Sequence, residues 1–132
     1  FDQLDSLDTV ASKNIKWIEQ VNYADLKHFL NGAEVFVYPS KAEGFGIPPL
    51  EAAAMCTPVL CSKVTAMIDF DFFEPHTFDP ECSKEFQIKL IDILENIDSI
   101  DVIKIQSIVK KKYSWDKSAQ ILIDKVIDSN RM

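Results

Sequence analysis

Val35-Phe36-Val37-Tyr38 closes on Pro39, and Glu43-Gly44-Phe45-Gly46-Ile47-Pro48-Pro49-Leu50-Glu51 comes next, leading through Pro58 to Val59-Leu60-Cys61. The first run is compact and uniformly apolar, which predicts a strand buried on both faces of a parallel sheet. Pro48 and Pro49 suit the first turn of a helix, where their missing N–H groups leave no intrahelical bond unmade. Good helix formers continue to Met55, Pro58 ends that helix, and Val59 to Cys61 reads as the next strand. Strand, helix and strand with short connections predict an α/β fold: a parallel sheet with right-handed crossovers, flanked by helices.

Working outward, Asn22 can cap a helix whose Leu26, Phe29 and Leu30 fall at helical spacing, and Gly32 stops it. Ile15-Lys16-Trp17-Ile18 is a short extended candidate. On the other side, Thr77-Phe78-Asp79-Pro80 predicts a last short strand and turn. The remainder is mainly helical, with apolar stripes at Phe86, Leu90, Ile93, Leu94 and Ile97; at Ile100, Ile103, Ile108 and Val109; and at Leu122, Val126 and Ile127. Ser114 is placed to cap the last of these before Trp115.

The whole chain of 132 residues has room for one hydrophobic core, so residues 1–132 are expected to form a single domain. A composition of 47% hydrophobic and 27% charged residues is globular, without a linker-like or repeated segment. The net charge of −7 gives no basic field for a phosphate backbone, which argues against nucleic acid as a partner. Lys110, Lys111 and Lys112 are the only basic run and read as cations at a helix C-terminus. No apolar run approaches the ~20 residues that span a bilayer and no cleavable signal is visible, so the expected location is the cytoplasm. Cys56, Cys61 and Cys82 contain no C-x-x-C pair and read as reduced, mostly buried thiols.

Two further constellations carry little chemistry. Asp69-Phe70-Asp71 has the D-x-D form of a metal motif, but such a pair arises easily in an acidic chain and lacks supporting ligands nearby, so no metal is expected. Phe70, Phe72 and Phe73 beside it read as core or interdomain packing. His28 and His76 have no Ser or Cys partner in a motif and read as structural.

The loop from Glu43 to Glu51 is the candidate site. Only three glycines occur in the chain, where average usage would give roughly nine, and Gly44 and Gly46 lie one residue apart. In open α/β sheets ligands sit beyond the carboxyl ends of the strands, where a loop from strand 35–38 would lie. Glycine lets the backbone approach a ligand, and a helix start offers N–H groups and a positive dipole end. Glu51 leans toward the helix N-terminus and so can point back at the loop's ligand, its two oxygens suiting the adjacent hydroxyls of a ribose. Glu43 can accept from a second polyhydroxyl group or balance positive charge that develops during reaction. Anionic centre and hydroxylated flanks are the layout of a nucleotide sugar. The plainer alternatives are a solvated loop acid and a proline start that is only a start.

These residues resemble a known family. Ala24-Asp25-Leu26, Gly32 to Ser40, Glu43 to Pro48, Leu50-Glu51-Ala52 and Thr57-Pro58-Val59 are similar to the C-terminal domain of the GT-B retaining glycosyltransferases, family 4, and Asp79-Pro80 and Tyr113-Ser114-Trp115 match its later landmarks. The resemblance implies a Rossmann-like domain and transfer of a sugar from a nucleotide-sugar donor to an acceptor hydroxyl with retention, in polysaccharide or glycolipid synthesis. It implies no cofactor and no metal. Within its E-x7-E motif, Glu43 takes the catalytic position near the reacting centre. Gly44, Phe45, Gly46 and Ile47 hold sugar hydroxyls and diphosphate, Glu51 binds the ribose, and Val21 touches the base.

The departures are informative too. Nothing before Ile15 resembles the family's Arg and Lys loop for the diphosphate, and the acceptor-binding N-terminal domain is absent. The chain begins at Phe1, so a truncated C-terminal domain without activity of its own is expected, with any peripheral membrane contact belonging to the missing half. Cys56 stands where a glycine is common, and Ala66-Met67-Ile68-Asp69 where glycines and a Pro-Glu pair are common. The reading kept beside the transferase is a non-catalytic nucleotide or nucleotide-sugar binding module, and a third is a flavodoxin-like interaction domain whose acidic loop binds nothing.

Overall fold

The computed structural model describes residues 13–129. Its first element is α1 (Tyr23–Gly32), capped by Asn22, whose side chain accepts the Asp25 N–H at 2.9 Å. Strand β1 (Phe36–Tyr38) leads into α2 (Ile47–Ala54), which returns the chain to β2 (Val59–Ser62). Two short 3-10 turns, Thr65–Asp69 and Asp71–Phe73, precede β3 (Thr77–Phe78). Three α-helices complete the described residues: α3 (Ser83–Glu95), α4 (Val102–Lys112) and α5 (Trp115–Ser129).

The sheet is parallel throughout, in the order β1-β2-β3, with Val37 opposite Leu60 and Cys61 opposite Thr77. Successive side chains of a strand point to opposite faces, so β2 divides its residues between two cores. Val59 and Cys61 enter one core with Leu50, Ala53, Met67, Phe70, Phe73 and Val109; Leu60 enters another with Phe78 and Ile93. Helices α1, α2 and α4 therefore cover one face of the sheet, and α3 covers the other. Ala52 and Ala53 are almost fully buried, and their small side chains let α2 lie close against the strands.

Several expectations are corrected. All of β2 is buried, whereas β1 is only half-buried along its length. Helix α2 begins one residue before Pro48, at Ile47. Ile15 to Ile18 form no strand. Of the thiols Cys61 alone is buried, Cys56 being half-buried and Cys82 exposed. The three stripes pack unequally: Ile93 and Val109 are buried, while α5 buries no residue and leaves Leu122, Val126 and Ile127 exposed. Phe70 and Phe73 do belong to the core. Among the described residues no helix is long and apolar enough to cross a membrane.

Candidate functional site

Tyr38 ends β1 and Ser62 ends β2, so the loop between Pro39 and Gly46 starts at the carboxyl edge of the sheet. Ser62 is fully buried, and its hydroxyl donates to the Ser40 carbonyl at 2.5 Å, which pins the start of the loop to the centre of the sheet. Ser40 in turn donates from its own hydroxyl to Glu43 Oε1 at 2.7 Å. The Tyr38 phenol donates to the same oxygen at 2.6 Å. The Glu43 backbone N–H donates to Thr65 Oγ1 at 2.9 Å, across 22 residues of sequence.

Glu43 is thus held by three hydroxyls, two on one carboxylate oxygen and one on its amide. The two side-chain bonds, Tyr38 first and Ser40 second, draw its carboxyl below the ordinary value, because donors aimed at the ionised form stabilise it. The same contact pushes the Tyr38 phenol up to about 12, with burial adding to it. A phenol so raised stays a neutral donor at any physiological pH, and the carboxylate stays charged. Thr65 is a β-branched residue at φ 47°, a backbone conformation such residues seldom adopt. That strain is tolerated where its hydroxyl meets Glu43.

The two glycines of the loop differ. Gly46 is the N-cap of α2 at φ 85°, and a Cβ there would lie 2.7 Å from Met67 Cγ. Gly44 has a φ outside the left-handed region, and a Cβ there would meet nothing within 4 Å, so its surroundings are open. A helix leaves its first four N–H groups without intrahelical partners, but in α2 two of these positions are Pro48 and Pro49. The donors left at this helix start are the Gly46 and Ile47 amides. Phe45 is half exposed, edge-on to Tyr113 with ring centroids 5.6 Å apart, and borders an opening of about 570 Å³ shared with Ile68, Asp69 and Lys112.

The sequence-named residues are not all gathered in one place. Glu51 lies along a cleft of about 120 Å³ between α1 and α2, with Tyr23, Lys27 and Met55. Val21 borders a separate opening of about 620 Å³ with Trp17, Asp25 and His28. Neither cavity includes Glu43 or the Gly44–Ile47 backbone. Sequence reasoning assigned no role to Tyr38, Ser40, Ser62 or Thr65. Their one available signal was hydroxyl side chains at the carboxyl ends of two predicted strands, where ligand sites form. Asp69 and Asp71 gain no further ligands: among the described residues no group of three His, Cys, Asp or Glu could hold a metal ion.

The sequence profile described as glycosyl transferases group 1 matches residues 3–96. The chain belongs to that family. Its β1-loop-α2-β2 unit with the bracketing glutamates lies inside the matched stretch, which accounts for the Rossmann-like arrangement of the parallel sheet. Among curated proteins the chain is similar to O-antigen chain mannosyltransferase B of Escherichia coli, 30% identical over 104 residues, covering 76% of this chain and 27% of that protein. O-antigen chain mannosyltransferase RfbU of Salmonella typhimurium is 28% identical over 117 residues, covering 88% of this chain and 32% of that protein. Capsular polysaccharide biosynthesis glycosyltransferase CapM of Staphylococcus aureus is 38% identical over 68 residues, covering 52% of this chain and 17% of that protein. The chain therefore spans about a third or less of the length of the curated relatives it matches. No solved structure is significantly similar to it.

Proposed function

We propose that this chain is the donor-binding part of a retaining glycosyltransferase, the C-terminal domain of a GT-B family 4 enzyme that moves a sugar from a nucleotide sugar to an acceptor hydroxyl. The names of the relatives favour a mannose-bearing donor and polysaccharide synthesis. The observation that carries the reading is the held carboxylate of Glu43, anchored through Oε1, beside an open Gly44 and the Gly46 and Ile47 amides.

The chemistry is one of charge. Breaking the bond between the anomeric carbon and the diphosphate leaves positive character on the sugar ring and negative charge on the leaving group. Glu43 is the fixed anion for the first, and the two amides with the positive end of α2 are the donors for the second. Fixed dipoles of this kind need no reorganisation during reaction, so no cofactor or metal is required by the proposal. Following the resemblance, Glu51 takes the ribose and Val21 the base, each from the separate opening that it borders. The acceptor, any peripheral membrane contact at the cytoplasmic face and the remaining diphosphate contacts belong to the N-terminal domain and to sequence outside the 132 residues. The chain alone is accordingly expected to have no transferase activity.

The test uses the full-length protein and a panel of GDP- and UDP-sugars. Glu43→Gln is expected to lower kcat by a factor of about 100 or more, the scale on which one preorganised electrostatic group acts, and Glu51→Ala to raise the donor KM. Full turnover in the Glu43→Gln variant would overturn the assignment.

A further inference from the structure

The two hydroxyls on Glu43 divide its carboxylate into unlike halves. Oε1 accepts from both Tyr38 and Ser40, while Oε2 accepts from none of the described residues. These donors do not come from the same kind of structure. Ser40 sits on the loop, tied to β2 only through its backbone carbonyl, which accepts from Ser62. Tyr38 is the last residue of β1, and its ring lies on that of Phe36, centroids 6.0 Å apart and planes within 17°. Residues two apart on a strand share a face, so this stack is built into the pleat. Both rings pack against the larger core. The phenol oxygen is therefore a point fixed by the sheet, from which the loop carboxylate is measured.

We infer that Tyr38 is a positioning residue for the transfer: its phenol, fixed by the sheet, ties Glu43 through Oε1 and leaves Oε2 as the oxygen that faces the donor sugar. This rests on the functional reading above. Without the phenol, Ser40 alone would hold Oε1, and a single hydrogen bond leaves the carboxylate free to turn about it. Thr65 holds the Glu43 amide, so loss of Tyr38 frees the side chain and not the loop backbone. The consequence is specific: the ground-state contacts of the donor remain, and the alignment needed in the transition state is lost.

The experiment compares Tyr38→Phe, Glu43→Gln and the double variant in the full-length protein, with the same panel of GDP- and UDP-sugars. Tyr38→Phe keeps the ring, its stack on Phe36 and its packing. It is expected to lower kcat by about tenfold, the scale of one hydrogen bond to a charged group, with the donor KM within about twofold of the parent. Because the phenol acts through Glu43, adding Tyr38→Phe to Glu43→Gln should lower kcat by less than about twofold further. A residue that only packs would show neither the kcat-against-KM split nor the dependence on Glu43. If Glu43→Gln abolishes turnover while Tyr38→Phe retains the parent kcat, the positioning role is refuted and the site reading stands. If Glu43→Gln retains parental turnover, the site reading falls first, and this role falls with it.

Discussion

Replacing Gly46 by alanine separates the two glycines of the loop more sharply than any other change. At φ 85° an alanine occupies the left-handed region at a cost of about 1–2 kcal/mol. Its Cβ would stand 2.7 Å from Met67 Cγ, 3.0 Å from Met67 Sδ and 3.2 Å from Phe70 Cε2. Met67 and Phe70 are 1% and 3% exposed, so neither can swing into solvent, and overpacking of this kind costs about 1–3 kcal/mol more. Together the expected loss is about 2–5 kcal/mol, a large part of a typical domain's stability. Gly44→Ala is the internal control. Its Cβ meets nothing within 4 Å, and the backbone there lies outside the left-handed region. Restricting the unfolded chain should leave that variant neutral or up to about 1 kcal/mol more stable. Urea denaturation of both variants, with comparable m-values, measures the difference directly. Equal midpoints for the two would refute the claim that Gly46 is fixed by φ and space. If the proposed site is right, Gly44→Ala should also weaken donor binding without loss of stability, because its methyl group would fill the open approach.

The same geometry carries other expectations. Cys56 stands just past the end of α2 at φ 63°, where glycine carries no Cβ penalty, so Cys56→Gly should stabilise by about 1 kcal/mol, read as a higher urea midpoint at unchanged m. Burial holds His76 below its ordinary value of 6.5, outweighing Asp92 at 3.9 Å, which would raise it. A histidine that resists protonation when folded binds fewer protons than it does unfolded, so stability is full above pH 6.5 and falls as pH drops below it toward the lowered value. His76→Gln should flatten that slope in melting curves taken across this window, and an unchanged slope would count against burial as the cause.

How much of this was legible from sequence depends on how local each cause is. Asn22 and Asp25 make a cap three residues apart, and the apolar run into Pro39 and the proline-started helix need only their neighbours. These were readable. Half-burial of β1 was not, because a strand's burial depends on what pairs beside it and packs over it, which lies elsewhere in the sequence: β3 is equally an edge and is buried. Ile15 to Ile18 failed for the same reason: their β-propensity has no pairing partner among the described residues to act on. The bracketing glutamates were legible as a motif, yet the clamp on Glu43 was hidden. Thr65 reaches it across 22 residues, and Tyr38 faces it only once the loop folds back over the strand end. Cys56 was visible as a departure from a common glycine, and its left-handed backbone supplies the physical reason for that glycine.

That the loop from Glu43 to Glu51 holds a nucleotide-sugar donor, as proposed, is tested by a structure of the full-length protein with an intact nucleoside-diphosphate sugar bound. The expected result is a sugar hydroxyl within hydrogen-bond distance of Glu43 Oε2, diphosphate oxygens on the Gly46 and Ile47 amides, and the ribose on Glu51. A donor seated elsewhere, with Glu43 still tied only to Tyr38 and Ser40, would contradict it.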